Sequence, residues 1–460
     1  MNQDDTICAI ATPAGFGGIG IIRVSGGQAF SIVQPLFRQH EKARPSFSSH
    51  IVYPGIIIDP ETAKPVDEVL VLPMKGPRSY TGEDVVEIQA HGNPHLLQRI
   101  LSLLIANGAR MAGPGEFTRR AFLSGKIDLA QAEAVMDLIM AQSRYAETLA
   151  LQQLRGEVSS HLLMIQEAIL SVLSRLEASI DFQEQGIDTE PQDKIIENIS
   201  QCGQWVGHLL AGYETGKQMR DGSTIVIVGR PNVGKSSVMN RLLGEERAIV
   251  TPIPGTTRDT LSEWFSIQGH RMQMIDTAGV HATTDPIELE GIRRGDAALQ
   301  QGDLALFIVD STQTFTEEDG ALLDRIPCKK RIIALNKKDL PIKTDMDAIH
   351  ARYPNDPIIY CSAKTGEGFQ GLSALLFSIL VPKEEGGGQS PLIAKLRQKN
   401  ALDIASHALK RAEKSARENA SVEFIAADIR EALDQFGGIL GETTTDEILN
   451  KIFGQFCIGK

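Results

Sequence analysis

The chain has 460 residues, of which 42% are hydrophobic and 23% are charged, and its formal net charge is −12. The length predicts about three domains of ordinary size, and the composition is typical of a soluble globular protein. An acidic chain is not typical of a protein that binds nucleic acid over its whole surface, so an RNA contact would need a local basic patch.

The N-terminus is acidic, and no apolar run approaches the roughly 18 residues that a membrane-spanning helix needs. The five cysteines are scattered and lack metal-ligand spacing, which argues against a disulfide framework and a structural zinc site. The sequence therefore predicts a cytoplasmic protein without a membrane partner.

The first half of the chain shows two different sequence patterns. Residues 1–122 combine short β-rich runs with one helical stretch and predict a small α/β domain. Residues 123–218 are helical. Apolar residues recur there every three or four positions from Leu151 to Ile180, which predicts one long helix with a single apolar stripe.

In the second half of the chain, the sequence pattern changes twice. Residues 219–383 alternate apolar strands with helical stretches, which predicts a doubly wound, mostly parallel sheet with a hairpin at one edge. Residues 384–460 are helical again and are too few to form a core of their own. We therefore expect them to pack against 123–218, so that the fold class is α/β plus all-α and 219–383 is an inserted domain.

The segment GRPNVGKS follows an apolar strand and precedes a helix, which is the context of a phosphate-binding P-loop. Gly229 and Gly234 permit the backbone turn that directs N–H groups at a phosphate, beside the positive end of the helix dipole. We expect Lys235 to contact the β- and γ-phosphates and to act in catalysis, and Ser236 to bind Mg²⁺.

Two further segments identify the nucleotide. In NKKD, the Asp339 carboxylate can accept two hydrogen bonds from guanine, whereas adenine offers no such pair of donors. Asn336 would brace the loop, and in SAK the Ala363 N–H would donate to the guanine carbonyl. DTAG, which begins at Asp276, is the second phosphate segment and would hold Mg²⁺ through water. The order and spacing of these segments predict a GTPase.

The loop TPIPGTTRDT offers Thr257 as the second protein ligand of Mg²⁺. Arg258 is either an arginine finger or an exposed loop residue. DTAG is followed by Val280, which cannot orient the attacking water as the glutamine of Ras-like enzymes does. The acidic candidates for that role lie further along: Asp285, Glu288 and Glu290.

The predicted GTP-binding residues come from five segments of the chain. They are Asn232, Val233, Gly234, Lys235, Ser236, Ser237, Thr251, Pro252, Ile253, Pro254, Gly255, Thr256, Thr257, Asp276, Thr277, Ala278, Gly279, Asn336, Lys337, Asp339, Ser362, Ala363 and Lys364.

Beyond these segments, the whole chain resembles the MnmE (TrmE) family of tRNA-modification GTPases. The resemblance rests on DTICAIATPAGFGGIGIIRVSG, YTGEDVVEIQAHGN, PGEFTRRAFLSGKIDLAQAEAV and the final FCIGK. It implies modification of carbon 5 of the tRNA wobble uridine together with MnmG (GidA), a partner that supplies FAD. The added group is carboxymethylaminomethyl or aminomethyl, and its one-carbon unit comes from a tetrahydrofolate in the 5-formyl or methylene form. The resemblance also implies a homodimer formed through residues 1–122, and K⁺ during GTP hydrolysis.

Site residues follow from the same resemblance, position by position. Glu288 matches the glutamate that orients water. Cys457 is either a nucleophile or a small side chain that lines the folate pocket. The potassium ligands would be Asn232, Thr251, Ile253 and Thr256, and the folate site would comprise Arg23, Glu87, Lys126 and Lys460.

Two alternatives stay open. The first is a ribosome-assembly GTPase of the Era or Der type, which would act as an RNA-binding switch; the N-terminal blocks and FCIGK argue against it. The second concerns the basic segment 395–417, which is either a contact for the tRNA backbone or a solvated helix face.

Overall fold

The computed structural model describes residues 5–39, 47–181, 191–245, 262–276, 299–300, 302–327, 330–381 and 392–460. The chain divides into two compact units. Unit 1 comprises residues 1–136, 153–203 and 404–460, and unit 2 comprises residues 137–152 and 204–403.

Unit 1 contains a seven-stranded sheet in the order β3-β4-β5-β6-β2-β1-β7. Neighbouring strands are antiparallel except β1 and β7, which are parallel. The strands are β1 (Ile7–Ile10), β2 (Gly17–Ser25), β3 (Phe37–Gln39), β4 (Tyr53–Ile58), β5 (Pro65–Met74), β6 (Val85–Gly92) and β7 (Arg110–Met111).

Helices follow the strands of unit 1 and then dominate the chain up to the second sheet. The first is α1 (Ala29–Val33). The second is α2 (Pro94–Ala106), which is capped by Asn93, whose side chain accepts from two backbone amides of the first turn. The apolar face of α2 is buried against the sheet. The others are α3 (Glu116–Leu123), α4 (Leu129–Met140), α5 (Arg144–Leu154), α6 (Glu157–Asp181), α7 (Gln192–Ala211) and α8 (Tyr213–Asp221).

The prediction of one long helix from Leu151 to Ile180 is wrong at its beginning. Gly156 has φ 83°, a left-handed conformation that ends α5 before α6 begins. The apolar stripe is buried along α6 from Val158 to Leu176, whereas Leu151 on α5 is exposed. A period of 3.6 residues continues across a break of this kind, so periodicity alone does not reveal it.

The helical tail packs against the first helical segment within unit 1, as expected from its short length. Helices α13 (Leu396–Arg417), α14 (Val422–Leu440) and α15 (Asp446–Phe453) form the tail, and α14 packs along α6. The last helix lies against α3, where Arg119 donates to Asp446 at 3.0 Å.

Unit 2 contains a six-stranded sheet in the order β13-β12-β11-β8-β10-β9. All pairs are parallel except the hairpin β9–β10, which lies at the edge. The doubly wound, mostly parallel sheet with an antiparallel edge strand is therefore confirmed. The strands are β8 (Ser223–Val228), β9 (Ser262–Ile267), β10 (His270–Asp276), β11 (Leu304–Asp310), β12 (Arg331–Asn336) and β13 (Ile358–Tyr360).

Helices cover both faces of this sheet, which explains why its central strands β8, β11 and β12 are almost continuously apolar. Ile225 and Ile227 pack on one face with α9 and α12, while Val226 and Val228 pack on the other with α10 and α11. These helices are α9 (Lys235–Glu245), α10 (Glu317–Asp324), α11 (Met346–Arg352) and α12 (Phe369–Leu380). None of the described helices combines the length and the hydropathy needed to cross a bilayer.

Candidate functional site

The P-loop connects the carboxyl end of β8 to the first turn of α9, in the middle of the unit 2 sheet. Two of its glycines have no room for a side chain. A Cβ at Gly229 would lie 2.4 Å from the Ile308 carbonyl oxygen, and a Cβ at Gly234 would lie 2.4 Å from Asn336 Nδ2. Both have positive φ, at 149° and 96°. The loop therefore wraps tightly around the amino end of α9, where backbone N–H groups bind anions.

Lys235 is the first residue of α9 and only 7% exposed. Its ammonium donates to the carbonyl oxygens of Gly229 and Arg230, both at 2.9 Å. Burial lowers the pKa of Lys235, and the charge of Asp276 opposes this shift. A mostly buried ammonium held by neutral carbonyls binds a phosphate strongly, because the anion supplies the charge that these carbonyls lack.

Ser236 and Asp276 lie together at the same edge of the sheet. Asp276 ends β10, which runs parallel to β8, and its carboxylate accepts from Ser236 Oγ at 3.0 Å. Hydroxyl and carboxylate oxygens are the ligands that Mg²⁺ prefers. In the described part of the chain, no group of three or more His, Cys, Asp or Glu residues could hold a metal ion.

Asn336 joins the predicted guanine loop to the P-loop. Its side chain is 2% exposed. The amide donates to the Val233 carbonyl at 3.0 Å, and the amide oxygen accepts from the backbone N–H of Ala363 at 3.0 Å. One buried amide thus joins three of the nucleotide segments, namely the P-loop, NKKD and SAK, whereas the sequence predicted only that it braces a loop.

Asp339 is exposed at the rim of this site. Its Oδ1 accepts from Ser362 Oγ at 2.6 Å, and the same hydroxyl accepts from the Thr365 N–H at 3.2 Å. The serine of SAK therefore orients the carboxylate that the sequence assigns to the guanine base.

Lys337 contacts a residue that the sequence reasoning missed. Its ammonium lies 2.6 Å from Asp310 Oδ2 and 3.1 Å from the Asn232 carbonyl oxygen. The available signal was an acidic residue at the end of LALFIVD, an otherwise apolar strand.

Part of the predicted site lies outside the described residues. This part contains one Mg²⁺ ligand, most of the K⁺ ligands and the residue proposed to orient water. The predicted members are Thr251, Pro252, Ile253, Pro254, Gly255, Thr256, Thr257, Thr277, Ala278, Gly279 and Glu288, and the alternatives Arg258, Asp285 and Glu290 lie there too.

A second candidate site lies in unit 1. Arg23 on β2 stands opposite Glu87 on β6 in the antiparallel register, and Nε and Nη2 of Arg23 contact Glu87 Oε1 at 2.9 and 2.8 Å. The guanidinium also lies 5.0 Å from the centre of the Tyr80 ring and 5.6 Å from that of Phe117. Such a planar cation with aromatic walls can bind a carboxylate or an aromatic ligand.

The last residues of the chain complete this site. Arg23 Nη1 donates to the Gly459 carbonyl at 3.4 Å, and the Phe117 N–H donates to the Lys460 carbonyl at 3.2 Å. Burial lowers the pKa of Lys460, and the charge of Arg23 lowers it further, while Glu87 opposes both. Arg23 and Lys460 thus provide two cationic side chains that could bind an anionic ligand beside the Glu87 carboxylate.

Lys126 is the remaining predicted member of the folate site. It is exposed in the turn after α3, and its N–H donates to the Ala121 carbonyl at 3.0 Å. Among the described contacts of Arg23, Glu87 and Lys460, none involves Lys126. The structure thus brings three of the four residues together.

The segment PGEFTRRAF holds Phe117, one of the aromatic residues beside Arg23, in place. Glu116 is 4% exposed and accepts from the Gly113 N–H at 2.8 Å and from Arg110 at 2.6 Å. Burial raises the pKa of Glu116, but the hydrogen bonds from Arg110 and Gly113 lower it by more. This ionised carboxylate fixes the first turn of α3, and with it Phe117.

The basic segment 395–417 is largely paired with acidic side chains. In unit 1, Arg411 donates to Asp428 at 2.8 Å and also pairs with Glu431, and Arg417 pairs with Glu413 at 2.7 Å. In unit 2, Lys395 pairs with Asp137 at 2.9 Å, and Lys399 pairs with Asp403 at 2.8 Å. Charges neutralised in this way attract a phosphate backbone weakly, which favours the interpretation as a solvated face.

Comparison with known proteins agrees with this arrangement. A family profile described as "GTP-binding protein TrmE N-terminus" matches residues 6–126, and one described as "MnmE helical domain" matches residues 129–457. The chain is 43% identical to the tRNA modification GTPase MnmE of Carboxydothermus hydrogenoformans, over 100% of both chains. It is 41% identical to MnmE of Aquifex aeolicus, over 99% of this chain and 100% of the relative.

Among solved structures, the chain is similar to a variant of Era from Aquifex aeolicus bound to GDP and aluminium fluoride. The identity is 28%, the match covers 40% of this chain and 66% of that chain, and the TM-score is 0.29. The assignment rests instead on the full-length relatives and the two profiles. By these, the chain belongs to the MnmE family of tRNA modification GTPases.

Proposed function

We propose that this GTPase works in a K⁺-dependent cycle that supports modification of carbon 5 of the tRNA wobble uridine, with a tetrahydrofolate as the one-carbon donor. The observation that carries the proposal is the cluster of Arg23, Glu87 and Lys460, which occurs in the same chain as a complete guanine loop. A ribosome-assembly switch of the Era or Der type would have no use for this second site.

Phosphate transfer from GTP to water needs positive charge at the β- and γ-phosphates. Lys235 supplies one charge, and Mg²⁺ held by Ser236 and Thr257 supplies more. We assign a further charge to K⁺, bound by Asn232, Thr256 and the carbonyls of Thr251 and Ile253. Such an ion would act where other GTPases use an arginine finger, and Arg258 would then serve as a loop residue.

The P-loop conformation supports the role of Asn232. This residue has φ 64°, a left-handed conformation that asparagine adopts more readily than other residues with a side chain. The Asn232 carbonyl accepts from the Lys337 ammonium at 3.1 Å. This contact does not involve the Asn232 side chain, which is the part that we assign to K⁺. Glu288 would orient the attacking water, because Val280 cannot.

The side-chain chemistry of the second site supports a polyglutamated folate as its ligand. Arg23 and Lys460 would bind carboxylates of the ligand, and Lys126 would bind a carboxylate further out. Glu87 would accept hydrogen bonds from the pterin amino and ring N–H groups. Cys457, which is exposed, would line the pocket or act on the one-carbon unit.

The proposal also includes the partners of this GTPase and the compartment in which it works. We assign a homodimer formed through residues 1–122, a complex with MnmG (GidA) that supplies FAD, and tRNA as the substrate of the complex. The reaction would take place in the cytoplasm.

GTP turnover by the full chain should be markedly faster in K⁺ than in Na⁺ at equal ionic strength. Na⁺ is smaller and fits a site built from four oxygen ligands at K⁺ distances poorly. Phosphate release at saturating GTP measures the rate, and Rb⁺, which is close to K⁺ in size, is the control that should restore it. Equal rates in K⁺ and Na⁺ would remove the K⁺ assignment.

Isothermal calorimetry on the full chain should detect binding of 5-formyltetrahydrofolate. Arg23→Met should weaken this binding at least about tenfold, because it removes the guanidinium that would bind a ligand carboxylate and that pairs with Glu87. Arg99→Met is a matched control, since Arg99 is exposed and pairs with Asp59 at 3.3 Å on the same domain. The folate assignment fails if the folded wild-type chain gives no heat, or if both variants bind equally well.

A further inference from the structure

Asp310 is a buried carboxylate directly behind the nucleotide site. It ends β11 opposite Asn336 on β12 and is 3% exposed. Its Oδ1 accepts from the backbone N–H and the hydroxyl of Thr312, at 3.0 and 2.7 Å, and its Oδ2 accepts from Lys337 at 2.6 Å. Both oxygens are therefore used, and the carboxylate is fixed in one orientation.

Lys337 connects the Asp310 carboxylate to the P-loop. The ammonium that contacts Asp310 also donates to the Asn232 carbonyl at 3.1 Å, and Asn336 donates to the next carbonyl, Val233, at 3.0 Å. Two consecutive residues of the guanine loop thus hold two consecutive carbonyls of the P-loop.

Both ends of this connection have an unusual backbone. Asn232 has φ 64° and Lys337 has φ 67°, both in the left-handed region. Asparagine enters this region more readily than other residues with a side chain, whereas lysine rarely does. Conformations of this kind persist only where surrounding contacts hold them. The contacts that hold these two residues include the Asp310–Lys337 ion pair.

The carboxylate is charged at neutral pH. Burial raises the pKa of Asp310, but the hydrogen bonds from Lys337 and Thr312 and the charge of Lys337 lower it by more, so the net shift is downward. The Asp310 side of this ion pair is buried, whereas the Lys337 side chain is partly exposed. Loss of the lysine would leave a buried carboxylate without its charged partner, which is costly.

We propose that Asp310 is a positioning residue for the nucleotide. It does not contact GTP; it holds Lys337, which holds the Asn232 carbonyl and so fixes the P-loop turn and the side chain assigned above to K⁺. The inference rests on the proposed function of the nucleotide site. Without the ion pair, the guanine loop and the P-loop would no longer be held to each other, and nucleotide affinity and K⁺ activation would both fall.

Asp310→Asn tests this role, because it keeps the shape and the Thr312 contacts but removes the charge. We expect the Kd for GDP, measured by displacement of a fluorescent N-methylanthraniloyl-GDP from the full chain, to rise about tenfold. Lys337→Met should also weaken binding, and the double variant should bind no more weakly than Lys337→Met, because both changes break the same connection. The K⁺ concentration for half-maximal GTP turnover should rise several-fold.

Asp303→Asn is the matched control. Asp303 precedes β11 at the other end of the strand and accepts from the Thr224 N–H at 2.7 Å. This variant should lower thermal stability but leave the Kd for GDP unchanged. If Asp310→Asn does not fold, Thr312→Val serves in its place; it removes the hydroxyl that is one of the two donors to Oδ1 of Asp310 and should raise the Kd two- to threefold.

Two results would overturn the proposal: a Kd for GDP within twofold of wild type in the folded Asp310→Asn variant, or strictly additive effects of the Asp310 and Lys337 changes. Failure of the K⁺ assignment is distinguishable from these. If the wild-type chain hydrolyses GTP equally fast in K⁺ and Na⁺, that part of the proposed function is wrong, and the GDP affinities still decide the role of Asp310.

Discussion

Asp339→Asn should lower the affinity for GTP about 10³-fold or more and change the preferred nucleotide to XTP. The wild-type carboxylate accepts from two donors of guanine, whereas the amide of asparagine has one acceptor and one donor and therefore opposes the guanine amino group. Xanthine has an oxygen in place of that amino group, and the amide can donate to it. Competition of GTP and XTP for a fluorescent nucleotide measures the change.

Glu367→Gln is the control for this substitution. Glu367 lies in the neighbouring loop, between β13 and α12, and pairs with Lys338 at 2.6 Å; both side chains are substantially exposed. Removing its charge should leave the preference for GTP intact, since surface pairs contribute little. The assignment of Asp339 to the base would be abandoned if the asparagine variant still preferred GTP over XTP by a hundredfold.

Lys235→Ala should reduce GTP turnover about 10²- to 10³-fold, the usual cost of removing one preorganised donor from developing charge. Lys235 begins α9, and its ammonium is already directed at the P-loop carbonyls of Gly229 and Arg230. Single-turnover hydrolysis at saturating GTP separates this loss from weaker binding.

Lys330→Met provides the comparison. Lys330 precedes β12, at the opposite end of that strand from Asn336, and donates to the Ile379 carbonyl at 2.9 Å. Its removal should not change the hydrolysis rate. Turnover by Lys235→Ala within threefold of wild type would show that the P-loop lysine has no role in the chemical step.

The nucleotide segments could be predicted because their chemistry is local. Gly229 and Gly234 are required by a turn that begins and ends within eight residues, and the apolar strand before them places the turn at a sheet edge. The same holds for the hairpin β9–β10, where Gln268 and Gly269 adopt the positive φ of a tight turn.

Periodicity was less informative where the chain turns without changing its pattern. The stripe from Leu151 to Ile180 has the same spacing on both sides of Gly156, although the backbone of Gly156 divides it into two helices. The ion pairs of the basic helix α13 were equally impossible to read from the sequence, because Arg411 contacts Asp428 only when α13 and α14 pack together.

The sequence by itself determined the fold class, the GTPase segments and the family, since each depends on residues close together in the chain or on the resemblance of whole blocks. Only the tertiary structure decided which distant residues meet. Arg23 reaches Glu87 through the register of β2 and β6, and Gly459 lies 436 positions further along the chain. Asp310 reaches Lys337 because β11 and β12 end side by side. Strand register and chain packing are set by the burial of many side chains at once, so no short segment encodes these contacts.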